Sequence, residues 1–317
     1  MSITDTDNSE PILPAMTQTT FPTPGVISPL ISATILADSV SPQGVRLTTL
    51  ELIYPRMILA ELNTHRVFSK NSASSRAIPT KRMIKNIRAN PAVPASWRMN
   101  QAGMQGYEVA KDEVIRKGQA IWLEAMEDAI RHAERLDELG LHKQIVNRLT
   151  EPFVHMKTVL TGVYFDNFDG LRRHHMADPT IEALAWAVFN AREESDPVEL
   201  QPGEWHLPYI TDYDRERLTI DGLLKVSAAR CARTSYNNME GKVSSIEEDI
   251  ALHDRLLVEQ PIHASPAEHQ GTPDVVDYIE AYGDYPVYKN PHLHGNIHGW
   301  VQYRKTLANE NMDMLVV

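Results

Sequence analysis

Cysteine is nearly absent: Cys231 is the only one in 317 residues. An intrachain disulfide is therefore impossible, and a cysteine-rich zinc site is excluded. Positive charge is also scarce. With 31 Lys and Arg against 42 Asp and Glu, the formal net charge is −11. That argues against a nonspecific grip on nucleic acid, which needs clustered cations. No apolar run approaches membrane-spanning length. The first residues, Met1-Ser2-Ile3-Thr4-Asp5, lack the basic and apolar parts of a secretory leader. The expectation is a soluble cytoplasmic protein with neither membrane nor nucleic acid as partner. There is no G-x-G-x-x-G and no P-loop, so neither a dinucleotide fold nor a P-loop fold has support.

The cations that are present cluster. Arg66, Lys70, Arg76, Lys81, Arg82, Lys85 and Arg88 lie within a short stretch, and a small phosphorylated ligand suits them better than a duplex does. At the head of the stretch, Thr64 to Arg76 packs His65, two Arg, Lys70, Asn71 and four Ser into thirteen positions with no acid among them. It follows a helical pattern and precedes Pro79, so it reads as a donor-rich loop held by rigid elements and suited to an anion. A plain solvated loop is the bland alternative.

The length supports a large core. Residues 1–29 are rich in Thr, Ser and Pro and read as a disordered tail. Residues 30–317 read as one catalytic α+β domain, its halves joined by a Pro-rich linker at about 194–213. Strands are expected at Ile31–Val40, Val45–Tyr54 and Phe153–Tyr164, with a turn at Ser41-Pro42-Gln43-Gly44. Helices are expected after Pro55, over Lys81–Ala89, over Glu108–Leu139 (one helix, or two divided at Gly118), over Leu141–Leu149 and Asp166–Arg172, and from Asp178-Pro179 to Ala191. Ile220–Arg233, Ser244–Glu259 and Asn296–Leu307 complete the set. Gly140 is placed as a helix stop, and Ser244 with Glu247 as a capping box. Val275–Tyr288 has no clear pattern.

Four other groups carry chemistry. His263-Ala264-Ser265-Pro266-Ala267-Glu268-His269 offers His263 and Glu268 as acid/base groups or ligands. On spacing alone, however, a capped turn is the better reading, and no metal site is expected. Ala228 to Tyr236 places Cys231 between Arg230 and Arg233. A lone Cys among Ala is usually a buried hydrophobe, and Arg233 and Ser235 look better as ligand groups. His174 and His175 are adjacent, so they diverge on a helix. Arg148 sits on an apolar segment before Pro152, either snorkelling or reaching into a site.

Together these segments resemble the flavin-dependent thymidylate synthases. His65, Arg66 and Ser74 keep the spacing of the family's R-H-R-x7-S, and Asn71 and Arg76 match further members of it. His263 to His269 resembles H-x-[ST]-P-F-E-H. Ala229 to Tyr236 resembles A-A-R-x-S-[FY]. Leu141 to Arg148 is similar to the segment with a substrate-binding Arg, and Asn167 to Arg172 with Glu182 to Ala185 resembles N-F-x-x-L-R … E-I-x-x-L-A. The likeness spans most of residues 45 to 307. The order differs, since two segments that usually precede the R-H-R loop here follow it, and the chain looks circularly permuted. Thr64 stands for the first Arg, Glu61 for a Gln and Ser72 for a Glu.

The resemblance implies an α+β fold of the thymidylate-synthase-complementing-protein type, with a mixed or antiparallel sheet, long helices and a homotetramer whose sites are shared between chains. It implies reductive methylation of dUMP at C5 to dTMP, with FAD as cofactor and NADPH and methylenetetrahydrofolate as co-substrates. It assigns Arg172 and His263 to catalysis. Flavin contacts carry over to His65, Arg66, Val67, Asn71, Ser235, Ser265 and Glu268. Nucleotide contacts carry over to Glu61, Ser72, Ser74, Arg76, Arg148 and Arg172. The departures at Thr64 and Glu61 motivate a sibling activity on another pyrimidine, such as dCMP, or one that stops at a hydroxymethyl product. A non-catalytic nucleotide- or flavin-binding homologue is the third reading.

Overall fold

The structure is a computed structural model and describes residues 26–236, 244–259, 262–279, 285–308 and 310. Its centre is a five-stranded mixed sheet. β1 (Ser32–Val40) and β2 (Arg46–Pro55) form an antiparallel hairpin across the expected turn. β3 (Ser69–Ser72) and β4 (His155–Gly162) extend it antiparallel beside β2, and β5 (Val198–Glu199) adds a parallel strand beside β1. The order is β3-β4-β2-β1-β5.

Alternation along the strands decides what each face meets. Leu50, Leu52 and Tyr54 of β2 point one way with Met156 and Leu160 of β4, and all are buried. Four helices supply the elements of this layer and its neighbours: α1 (Leu59–Thr64), α2 (Thr80–Ala89), α3 (Asp112–Glu138) and the single turn α4 (Lys143–Val146). α5 (Asp166–Arg172) and α6 (Pro179–Glu193) follow β4. Leu62, Phe168, Ile181, Leu184, Ala185 and Val188 cover the Leu50 face. Each of the larger side chains, fully buried, contributes roughly 1.5–3 kcal/mol, and Ala185 less. Asp178 caps α6 through the Thr180 and Ile181 amides, with Pro179 in the first turn.

The opposite face meets the C-terminal half. α7 (Asp212–Arg215), α8 (Ile220–Tyr236) and α9 (Ile246–Leu257) are followed by short strands β6 (Gly271–Pro273), β7 (Val276–Ile279), β8 (Pro286–Tyr288) and β9 (Trp300–Gln302), then by α10 (Tyr303–Thr306). Leu224, Ala228, Leu256 and Ala267 form this half's own core.

Several expectations change. Thr64–Arg76 is not all loop, since its middle is β3 at the sheet edge. α3 runs unbroken through Gly118, because the Trp97 ring packs where a side chain would stand: a Cβ there would lie 2.9 Å from it. Gly140 does end the helix region, at φ +78°. The capping box is Ser245 with Glu248, one residue later than the pattern suggests. Asn296–Leu307 is not one helix. Gly299 turns the chain at φ +83°, and fully buried Trp300 enters β9 with its indole donating to the Val45 carbonyl. The stretch 194–213 is fastened to the sheet through β5 and through His206, which is buried. Most of the expected tail lies outside the described residues. From residue 26 the chain is tied down, as Ile27 exchanges two hydrogen bonds with the Gln119 amide of α3.

Candidate functional site

The last turn of α1 presents His65, whose amide bonds the Leu62 carbonyl. Lys70 Nζ donates to the Leu62 and His65 carbonyls (3.2 and 2.7 Å), satisfying acceptors that the helix end leaves open. The His65 ring stands edge-on to Phe168, centroids 5.0 Å apart. Its Nε2 accepts from Arg172 Nε at 2.9 Å, so the ring is neutral with its proton on Nδ1. Burial, then the charges of Arg172 and Lys70, lower its pKa to about 4. The Thr64 hydroxyl donates to the Glu61 carbonyl and accepts from Arg172 at 3.1 Å. An arginine at position 64 has no acceptor to offer there. Glu61 Oε2 is buried and unpartnered among the described residues.

Along and beyond β3 the predicted residues divide. Ser72 turns inward: its hydroxyl bonds Thr158, which bonds Tyr54 (2.8 and 2.7 Å), and burial pushes the Tyr54 phenol up to about 12. Asn71 is buried in the strand. Ser74 leads into a 3₁₀ turn where Ser75 donates to Glu151 at 2.6 Å. Glu151 also gathers Arg56 at 3.2 Å and Arg148 at 3.0 Å. The Asn147 amide pins the same turn through the Ser75 and Ile78 carbonyls. Arg148 is thus exposed but committed to a carboxylate. Arg66 and Arg76 are exposed, and neither has a hydrogen bond or ion pair within the described residues. Val67 is 44% exposed.

The distant His263–His269 segment comes back to this edge. The polar link is Asn296, whose amide donates to the Val67 carbonyl and bonds the Ser69 hydroxyl (both 3.0 Å). Gln302 Nε2 donates to Asn296 Oδ1 at 2.9 Å and to the Glu268 carbonyl at 3.1 Å. His263 and Ser265 are exposed. The Glu268 carboxylate is held by Arg304, which takes it out of the free donor–acceptor set expected for a cofactor. The Ser235 side chain lies outside the described residues. His269 is buried and continues a chain of side-chain bonds below the sheet: His269 Nδ1–Thr161–Thr49–His206 Nε2, at 2.8, 2.7 and 2.8 Å. Burial lowers both histidines to about 3.

α8 carries Arg230 and Arg233, and both are structural anchors. Arg230 donates to Asp214 at 2.6 Å, to Asp249 at 2.9 Å and to the Tyr209 carbonyl at 2.7 Å, while Arg233 donates to Asp249 at 2.6 Å. Burial pushes the Asp214 carboxyl up, but Arg230 and Thr211 outweigh it and hold it at about 2. Cys231 is fully buried and burial raises its thiol pKa, so it is no nucleophile. Tyr209 holds φ at +63°, a left-handed conformation costing about 1–2 kcal/mol for a non-glycine residue.

Beside these groups lies a cavity of about 460 Å³, lined by Glu51 and Ile53 of β2, Lys157 of β4, Met83 of α2, Ser74 and Tyr209. It occupies the face opposite the Leu50 core. Of the predicted nucleotide residues, Ser74 lines it, whereas His65, Thr64 and Arg172 sit with the Phe168 layer on the other side. The described residues contain no group of His, Cys, Asp and Glu able to hold a metal, and no helix among them is long and apolar enough to cross a membrane.

No protein-family model matches the chain, and no curated protein does. Among solved structures, the chain is similar to a UMP/dUMP methylase, PolB, from Streptomyces cacaoi bound with 5-Br UMP, and to the same protein bound with 5-Br dUMP. The TM-score is 0.45 in both, with 17% and 16% identity, over 53% of this chain and 92% of the other.

Sequence reasoning missed Asn296, Gln302 and Glu151. Asn296 acts through contacts more than two hundred residues away, and Gln302 through Asn296 and a carbonyl 34 residues back, for which no local pattern exists. Glu151 carried a signal, as an acid three residues after Arg148 beside Pro152.

Proposed function

We propose that the chain is a flavin-dependent enzyme acting at C5 of a pyrimidine nucleotide, with conversion of dUMP to dTMP as its reaction. The observation that carries the reading is the Arg172–His65 bond: two motif segments of the resemblance, 107 positions apart, meet in one hydrogen bond. The Asn296–Gln302 bridge joins a third, His263–His269, to the His65 segment.

The donors fit the anionic end of a flavin dinucleotide. Arg66 offers an unpaired guanidinium and Ser265 an exposed hydroxyl, the chemistry that a diphosphate requires. Bound there, reduced flavin would supply the hydride, methylenetetrahydrofolate the carbon and NADPH the reducing equivalents. The chain's own contribution is position and charge. Arg76 meets the nucleotide phosphate, with Ser74 beside it. Arg172, oriented by neutral His65 and by Thr64, stabilises negative charge developing on the base. His263, exposed and with no side-chain hydrogen bond among the described residues, is available to move a proton. Because the Ser74 and Arg172 sides lie on different faces of the sheet, a complete site draws on more than one copy, and we place the chain in a homotetramer.

Thr64 and Glu61 favour the second reading, a sibling enzyme for another pyrimidine or a hydroxymethyl product. Thr64 spends its hydroxyl on Glu61 and Arg172, leaving one cation fewer at the base. Separate incubations with dUMP and dCMP, each with methylenetetrahydrofolate, FAD and NADPH, decide by product mass. A methylated dUMP product is expected. Bound nucleotide without any product would leave only the scaffold reading.

A further inference from the structure

The outer face of α6 is left uncovered by the fold. We propose that this face, with the end of α5, is a twofold contact between two copies of the chain, locked by Arg173 of each copy on the partner's Glu182.

The inner face of α6 is accounted for, since Ile181, Leu184, Ala185 and Val188 are buried in the core beside the sheet. A helix packed in this way normally turns charge toward water on its other side. From Ala183 to Ala191, α6 holds no charged residue at all. Trp186 is 42% exposed in the middle of that run. The end of α5 adds exposed Leu171, and the segment after it adds exposed Met176. Gln105 Nε2 donates to the Met176 carbonyl at 2.8 Å, which brings in the turn at Met104, 98% exposed. Clustered apolar exposure of this kind marks an interaction surface, and methionine adapts to one.

One cation lies over the face. The Arg173 guanidinium carbon is 4.3 Å from the centre of the Trp186 ring and 3.4 Å from that of Phe189. The guanidinium makes no hydrogen bond or ion pair among the described residues, and its Nε is buried. An arginine stacked on tryptophan with its donors unspent has the composition of an interface hot spot.

Charge decides the occupant. Glu182 stands on the same helical stripe, four residues before Trp186 and seven before Phe189. Its ion pair with Arg98 is stretched to 4.0 Å. A twofold axis near Trp186 reverses the stripe. It sets the partner's Glu182 against Arg173 and repeats the pair on the other side. One patch thus supplies both halves, as an isologous contact requires. A foreign partner would have to bring its own acid, whereas a second copy already carries it. The partner also comes close to the site, because Arg172, which bonds His65 and Thr64, immediately precedes Arg173. The occupant is shared with the assembly proposed above, but neither the face nor the charge pair depends on a flavin.

The test is sedimentation equilibrium of the full chain without ligands. The wild type should form dimers or a larger assembly containing them. Arg173→Glu and Glu182→Arg should each weaken association at least about tenfold. The double variant, with the charges exchanged, should restore it, which a chain that merely misfolds would not do. Trp186→Asp should also release the contact, with helix content by circular dichroism unchanged. A monomeric wild type overturns the proposal and leaves the face to another protein. Single variants that assemble as the wild type does overturn it too, as does a double variant no better than the singles. A tetramer unmoved by these changes would sink this interface and leave the tetramer standing. Flavin retention is read separately by absorbance, so failure here does not count against the flavin reading.

Discussion

Arg172 donates to His65 at 2.9 Å and, through a second nitrogen, to Thr64 at 3.1 Å. One guanidinium thus spans the end of α1, fixing both the ring orientation of His65 and the rotamer of the residue before it. The bond requires an unprotonated Nε2, so Arg172 favours the neutral form of His65.

Replacing Arg172 by alanine tests that coupling. Burial is the larger cause of the low His65 pKa and the Arg172 charge the next. The variant should therefore raise the pKa from about 4 without restoring 6.5. Proton NMR of the ring across pH reads the shift directly. Turnover, once assayed, should fall at least about 100-fold, the usual loss when a charge-stabilising donor is removed.

Acid should destabilise the fold in a defined window. His65, His206 and His269 titrate at about 4, 3 and 3 in the folded chain, below the unfolded value. The unfolded chain binds more protons in between, so stability is fully present above about 6.5 and falls as pH drops toward 4. Each histidine contributes a slope of about 1.4 kcal/mol per pH unit. Urea midpoints measured between pH 7 and pH 4.5 should decline steadily. A flat profile would mean that these rings are solvated.

Arg230→Ala should be among the most damaging single changes. It removes the ion-pair partner of Asp214 and one of the two on Asp249, whose side chains are 1% and 0% exposed, and breaking one partner of a buried pair costs about 3–5 kcal/mol. It also releases the Tyr209 carbonyl, which adds to the loss in thermal midpoint.

Gly118→Ala sets two effects against each other. Alanine gains about 1 kcal/mol of helix propensity over glycine. Its Cβ, however, meets Trp97 at 2.9 Å, and overpacking costs about 1–3 kcal/mol. Net destabilisation is expected by chemical denaturation, together with a change in Trp97 fluorescence.

That glycine also marks where sequence reading stops. Local signals placed β1, β2, β4, α2, α5 and α6, because alternation, proline position and helix caps are written within a few residues. Gly118 looked like a weak point because Trp97 packs on it from outside the helix. Trp300 read as helical because the cost of burying it at the Val45 carbonyl is invisible locally. The donor-rich stretch from Thr64 was legible as chemistry, and Arg172 with it. Which of its side chains remain free was not. Ser72 is spent on Thr158, Glu268 on Arg304 and Arg148 on Glu151, each through a partner that only the fold supplies.

The central claim is that Arg66, Ser265 and the Arg172–His65 pair serve flavin chemistry on a pyrimidine nucleotide. The most direct measurement is the absorption spectrum of the purified full chain after incubation with FAD and removal of free flavin. The account predicts a retained flavin band that bleaches with NADPH and is reduced when Arg66 is replaced by alanine. A chain that retains no flavin under saturating FAD would contradict it.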